Sequence, residues 1–160
     1  MTCNKCGKET GNSNTVCPCC EAVSSGIVAQ LVTKIQTEAK IWKIVAIVQV
    51  VIGALTIILN LINGMVESAL YGALILVVAF LNFKGSKKDL AYAEEIKSKP
   101  VGIVKKYEPL KELIAAIIYN VFVGGVVGVV ACVFGFMTRK FVMDNKQSFI
   151  DIENMFNNNR

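Results

Sequence analysis

Residues 44–62 read IVAIVQVVIGALTIILNLI, nineteen positions without a single charge. A helix rising about 1.5 Å per residue needs roughly twenty such residues to cross a hydrocarbon core about 30 Å thick. The whole chain agrees with that reading. Of its 160 residues 54% are hydrophobic and only 18% charged, and the charges are segregated so that long stretches carry none. An ordinary soluble domain does not partition its charges this way. The expected fold class is therefore mostly α and integral to a membrane.

Working outward, a tight turn NGMVES (63–68) leads into ALYGALILVVAFLNF (69–83). This run of fifteen residues reaches spanning length if positions 65–68 join it or the bilayer thins. Two apolar runs so close together predict a helical hairpin over 44–83. A third run, LIAAIIYNVFVGGVVGVVACVFGFM (113–137), has twenty-five residues. A strand there would leave its backbone groups unsatisfied in lipid, so a helix is expected. Gly124, Gly128 and Cys132 form a small-xxx-small stripe where another helix can approach closely, and Cys132 reads as a small packing residue.

Between the second and third runs lies a polar loop, 84–112, with eight Lys against five acidic residues. Ser86 and Asp89 have capping-box spacing and predict a short exposed helix to about Lys97. Pro109 suits the first turn of the next helix. Before the first span, IVAQLVTKIQTEAKIW (27–42) places Ile27, Val28, Leu31, Val32, Ile35, Ala39 and Trp42 within an arc of about 140°. This is an amphipathic helix, either lying in the membrane interface or covering the protein's own bundle. The tail, 138–160, is polar, with an amphipathic pattern at Phe149, Ile152 and Phe156.

The Lys-rich loop sets the expected topology, because basic residues favour the cytoplasmic side. The N-terminus and 84–112 are then cytoplasmic and NGMVES lies outside. A straight third span is the expectation for 113–137, which sends the tail outside although Arg139 and Lys140 follow it directly. The alternative is a re-entrant segment, broken at Gly124-Gly125, that returns the tail to the cytoplasm. Each half would then be too short to span.

The N-terminal segment 1–22 is polar and too poor in apolar residues to build a core. It holds five of the six cysteines, and these are spaced for a metal ion rather than for disulfides. Cys3-x2-Cys6 and Cys17-x2-Cys20 make two thiolate pairs ten residues apart. Gly7 permits the tight turn after the first pair. Four thiolates select zinc or iron, zinc being the commoner structural use, and one bound zinc would supply the folding energy that the segment lacks. In CPCC (17–20), Cys19 is an alternative to Cys20 as fourth ligand. Side-chain charges within 1–22 sum to zero, and no aromatic ring is available to stack on a base. Nucleic-acid binding is not expected.

With CNKCGKE and CPCCE ahead of several apolar helices, the chain resembles bacterial small multi-pass membrane proteins with an N-terminal zinc ribbon. The resemblance implies Cys3, Cys6, Cys17 and Cys20 as zinc ligands and implies no chemistry for the rest.

The chain contains no histidine. That removes His-based triads and HExxH sites. No Asp, Glu, Lys or Arg falls inside the apolar runs, which argues against proton-coupled transport. Gln49 and Asn120 lie deepest among the polar residues there, with Thr56, Asn60 and Asn82 nearby. Such amides more often bond between helices than line a substrate path. The expected function is a non-enzymatic membrane protein of the cell membrane. Its cytoplasmic zinc ribbon would dock a protein partner, with homo-oligomerisation open. Two alternatives are a small oligomeric, holin-like pore and a thiol/zinc redox sensor that uses Cys19.

Overall fold

The computed structural model describes residues 26–158. The cysteine ribbon expected over 1–22 and most of its linker lie outside the described residues, so the ligand assignments to Cys3, Cys6, Cys17, Cys19 and Cys20 lie outside them too. Among the described residues there is no strand, and 92% are helical.

Two long helices form the frame, α1 (Gly26–Ile62) and α2 (Val66–Ser98). At 37 and 33 residues they extend about 55 and 50 Å, well beyond a hydrocarbon core of about 30 Å. The excess lies at one end, because the turn joining the helices follows directly on the apolar runs. That turn is a Schellman motif. Met65 N–H donates to Asn60 O at 2.8 Å and Gly64 N–H to Leu61 O at 3.1 Å, with Gly64 at φ 72°. Glycine takes this left-handed conformation without a Cβ penalty.

The helices pack antiparallel and cross closely where Gly53 meets Gly72. A Cβ on Gly72 would lie 2.8 Å from Gly53 O, and one on Gly53 would lie 3.0 Å from Gly72 O. Close backbone approach of this kind is how helices gain contact where no hydrophobic effect drives them together.

Burial along α1 inverts at about residue 43. In the first half the apolar face is inside: Val28, Leu31, Val32, Ile35, Ala39 and Trp42 are buried. In the second half the large apolar side chains face outward, from Ile44 (61% exposed) to Ile62 (76%), while Ala46, Gln49 and Gly53 are inside. One helix is thus written for two solvents, with a stem suited to lipid and a cap suited to water. Of the two readings of 27–42, the packing has this face covering the protein's own bundle. The boundary expected at 43/44 is no break in the helix.

A second boundary also disappears. α2 runs unbroken from the stem through Ser98, so the capping spacing at Ser86 and Asp89 starts no separate helix. Ser86 sits in mid-helix, buried, and donates to Ala39 O at 2.7 Å across the hairpin. Its capping partner is replaced by a tertiary one.

Beyond α2, Gly102 (φ 73°) opens the short α3 (Ile103–Tyr107). The third apolar run follows as α4 (Lys111–Tyr119), a π-helical turn at Asn120–Gly124, and α5 (Gly125–Asp144). Three helices, α1, α2 and α5, are long and apolar enough to cross a membrane. The straight rod expected for 113–137 does not form, however. Gly125 has φ 67° and ψ −174°, outside helical values, and the chain reverses there. Gly128 then faces Asn120, Gly135 faces Leu113, and Arg139 Nη2 donates to Glu108 O at 3.1 Å. The run is a folded-back hairpin whose two ends lie together beside the cap. The reversal follows from the Gly124-Gly125 pair, because an αL-side φ is open to glycine and costly for other residues.

The last helix, α6 (Lys146–Asn158), buries Phe149, Ile152 and Phe156. Phe149 and Ile152 join Val28, Leu31, Val32, Ile35, Ala93, Ile96, Ile103, Val104 and Val142 in the core of the cap. The tail therefore packs on α3 and α5 and joins the core that holds the first half of α1.

Candidate functional site: the amide lock and a polar cavity beneath the cap

The amides singled out in the sequence meet in the stem. Asn82 Nδ2 donates to Gln49 Oε1 at 2.8 Å and to Asn120 Oδ1 at 3.2 Å. Gln49 Nε2 also donates to Asn120 Oδ1, at 3.2 Å. The remaining Asn120 donor goes to Ala116 O at 2.9 Å, and Tyr119 Oη donates to Asn82 Oδ1 at 3.2 Å. All three amides are buried. The network is well satisfied and ties the tip of the α4–α5 hairpin to the α1–α2 frame. It is a lock between elements, and its members Asn82 and Tyr119 also border the cavity described below.

Gly128 makes the lock fit, since a Cβ there would collide with the Asn120 side chain. Cys132 is buried beside Trp42, Val45 and Ala131, with Ala116 and Ile117 against them. Gly124, the other member of the expected stripe, closes the π-helical turn. Gly128 therefore serves the fold of its own hairpin, while Cys132 meets α1 at Trp42 and Val45. Gly53 and Gly72 carry the close α1–α2 crossing, which the sequence analysis missed. Their spacing from the turn was its available signal.

No sequence pattern signals a second feature, a cavity of about 190 Å³ where the stem meets the cap. α1 contributes Glu38 and Trp42, α2 contributes Ser86 and Asp89, α3 contributes Lys106 and Tyr107, and α5 contributes Arg139. Glu38 and Trp42 are one helical turn apart and share a face, and Gly135 leaves the room that the Glu38 carboxyl occupies. A Cβ on Gly135 would lie 3.1 Å from Glu38 Oε1. Burial pushes the Glu38 carboxyl above its ordinary value, and the charge of Asp89 adds to the rise. Hydrogen bonds with Thr138 and Trp42 and the charge of Lys106 oppose it. Lys106 pairs with Asp89 at 3.2 Å, and its ammonium lies 3.5 Å from the Tyr92 ring centroid.

Arg139 differs from Lys106 in having no carboxylate partner within ion-pair distance among the described residues. One Nη bonds the Glu108 carbonyl, while the buried Nε has no hydrogen-bond partner. In the sequence Arg139 registered only as a charge on an unexpected side. Its role as a cavity wall depends on the hairpin reversal, which brings it to Glu108. No cluster of three metal-ligating side chains occurs among the described residues.

These elements define a helical protein of membrane type, with a lipid-suited stem, a water-suited cap and a polar cavity between them. Comparison with family models, with curated proteins and with solved structures returns no match for the chain.

Proposed function

We propose that the protein is a non-enzymatic integral membrane protein that presents a zinc-stapled docking module at the cytoplasmic face. The observation that carries this reading is the continuity of α1. It begins at Gly26, just beyond the cysteine segment, and runs without a break through the core of the cap to Ile62. Whatever the cysteine segment engages is thereby joined to a packed element anchored in the stem. The donor set supports zinc, because four thiolates as two CxxC pairs suit a tetrahedral ion and a coreless segment needs its binding energy. The resemblance to membrane proteins with an N-terminal zinc ribbon supports the same assignment to Cys3, Cys6, Cys17 and Cys20.

The hairpin supports a topology that removes the charge conflict of a straight third span. With both of its ends beside the cap, Arg139, Lys140 and the Lys-rich region fall on one side. The docking reading is also favoured over a pore. Gly128 and Gly135, which would suit an oligomeric helix interface, are filled by Asn120, Leu113 and Glu38 of the same chain.

The test is elemental analysis of the detergent-purified protein beside the Cys3→Ser plus Cys20→Ser variant, with crosslinked partners compared in membranes. One zinc per chain and a crosslinked partner, both lost in the variant, are expected. Crosslinks unchanged by the double substitution would sink the docking role.

A further inference from the structure

We propose that the protein senses membrane curvature, because its α4–α5 hairpin thickens the stem in one leaflet only. Its partner is a lipid surface that is convex on the side of the cap. The inference rests on the reading that the stem spans the bilayer.

The hairpin stops halfway along the stem. Its tip is held where α1 and α2 cross. Asn120 bonds Gln49 and Asn82, and Tyr71 Oη donates to the Phe122 carbonyl at 3.3 Å. Tyr71 adjoins Gly72, which meets Gly53. Gly53 is the midpoint of the uncharged run 44–62, so this level lies about 15 Å from either face of a hydrocarbon core about 30 Å thick.

The stem differs on the two sides of that level. Toward the cap, α4 and α5 pack on α1 around Val45, Ala131 and Cys132, and Ile75, Val78 and Asn82 of α2 are buried. Toward the Gly64 turn, no residue from 54 to 68 is buried. That half is the bare α1–α2 pair among the described residues. At about 10 Å per helix, the cap-side leaflet holds roughly twice the protein cross-section of the far one. The tip is also suited to hydrocarbon, since Phe122 is 74% exposed and Val126 81%. Apolar volume inserted into one leaflet is sensitive to curvature, because convex bending of that leaflet opens the space it fills. A straight third span would add a helix to both leaflets and carry no such preference.

The full chain, with a small dye on a C-terminal peptide tag, is reconstituted in giant phosphatidylcholine vesicles from which narrow tubes are pulled. An impermeant quencher separates copies with the dye and cap outside from those with both inside. Cap-outside copies are expected to concentrate in the tube severalfold over the flat membrane, and cap-inside copies to be depleted there. Equal distribution of the two populations overturns the proposal. Crowding between caps is a rival cause of enrichment, and it fades as the molecules are spread apart. The enrichment should persist as surface density is lowered, and its loss on dilution overturns the wedge. Alkaline carbonate extraction separates failure of the wedge from failure of the spanning reading. Release of the protein from the vesicles overturns both, whereas retention with equal sorting overturns the wedge alone.

Discussion

At the scale of single residues, the stem is specified by fits that leave no room for a methyl group. The amide lock depends on Gly128 being bare, so Gly128→Ala should displace Asn120 from Gln49 and Asn82. Overpacking of this kind costs about 1–3 kcal/mol. Asn120→Ala alone should cost on the order of 1 kcal/mol, the usual value of a polar contact between helices in lipid. The double variant should cost less than the sum, because a shortened residue 120 accommodates the new methyl. Unfolding in mixed micelles measures all three, and strictly additive costs would falsify the fit described here. Glu38 gives a pH signature. Its carboxyl is raised in the folded state above the ordinary 4.5, chiefly by burial. The native protein therefore holds this proton more tightly than the unfolded chain does. The resulting stability is fully present below about pH 4.5 and is lost as pH rises through the raised folded value. Relative to Glu38→Gln, the melting temperature of wild type should thus fall as pH is raised from 4 to 8. A constant difference between the two proteins would mean that Glu38 is not held as described.

At the scale of elements, the third apolar run behaves as a hairpin because of one backbone position. Gly125 combines φ 67° with ψ −174°, a region open essentially to glycine alone. Gly125→Ala should therefore cost about 1–3 kcal/mol in strain, with no side-chain contact to explain the loss. The same substitution at Gly85, inside α2 where a Cβ meets nothing within 4 Å, serves as the control and should stabilise by about 0.5–1 kcal/mol. The other element built by tertiary contact is α6. Its Phe149 is 1% exposed and stands edge-on to Phe141, with ring centroids 6.3 Å apart. Truncation of a buried Phe costs about 3–5 kcal/mol. In Phe149→Ala, amide exchange should rise across 146–158 while the α1–α2 amides of the stem stay protected. A uniform rise would show that cap and stem unfold as one unit.

At the scale of the whole molecule, the hairpin decides where the tail goes. α6 packs on α3 and α5 in the core that also holds the first half of α1, so the two ends of the described chain lie at the same end of the stem, opposite the Gly64 turn. A compartment-sensitive reporter fused after residue 160 should give the same response as one fused at residue 1. A reporter inserted at Gly64 should give the opposite response. A straight third span predicts opposite responses from the two termini, so the pair of fusions separates the topologies directly.

Much of this architecture is legible in the sequence because it rests on local composition. Nineteen uncharged residues at 44–62 determine that a helix there suits lipid, whatever surrounds it. The 3.6-residue period of 27–42 likewise determines which face is buried, from Val28 to Trp42. What the sequence could not decide is what those faces meet. The amphipathic face has the same pattern whether it covers a membrane or a bundle, and only the docking of α2, α3, α5 and α6 selects the bundle. The capping spacing at Ser86 and Asp89 carries no information that Ala39 O lies 2.7 Å from the Ser86 hydroxyl. The cavity shows the limit most clearly. Glu38, Asp89, Lys106 and Arg139 come from four helices, separated by up to about a hundred residues, and no local period links them. They converge only because Gly125 turns the chain back, a conformation that a Gly-Gly pair permits and that packing against Gln49 and Asn82 makes the stable choice.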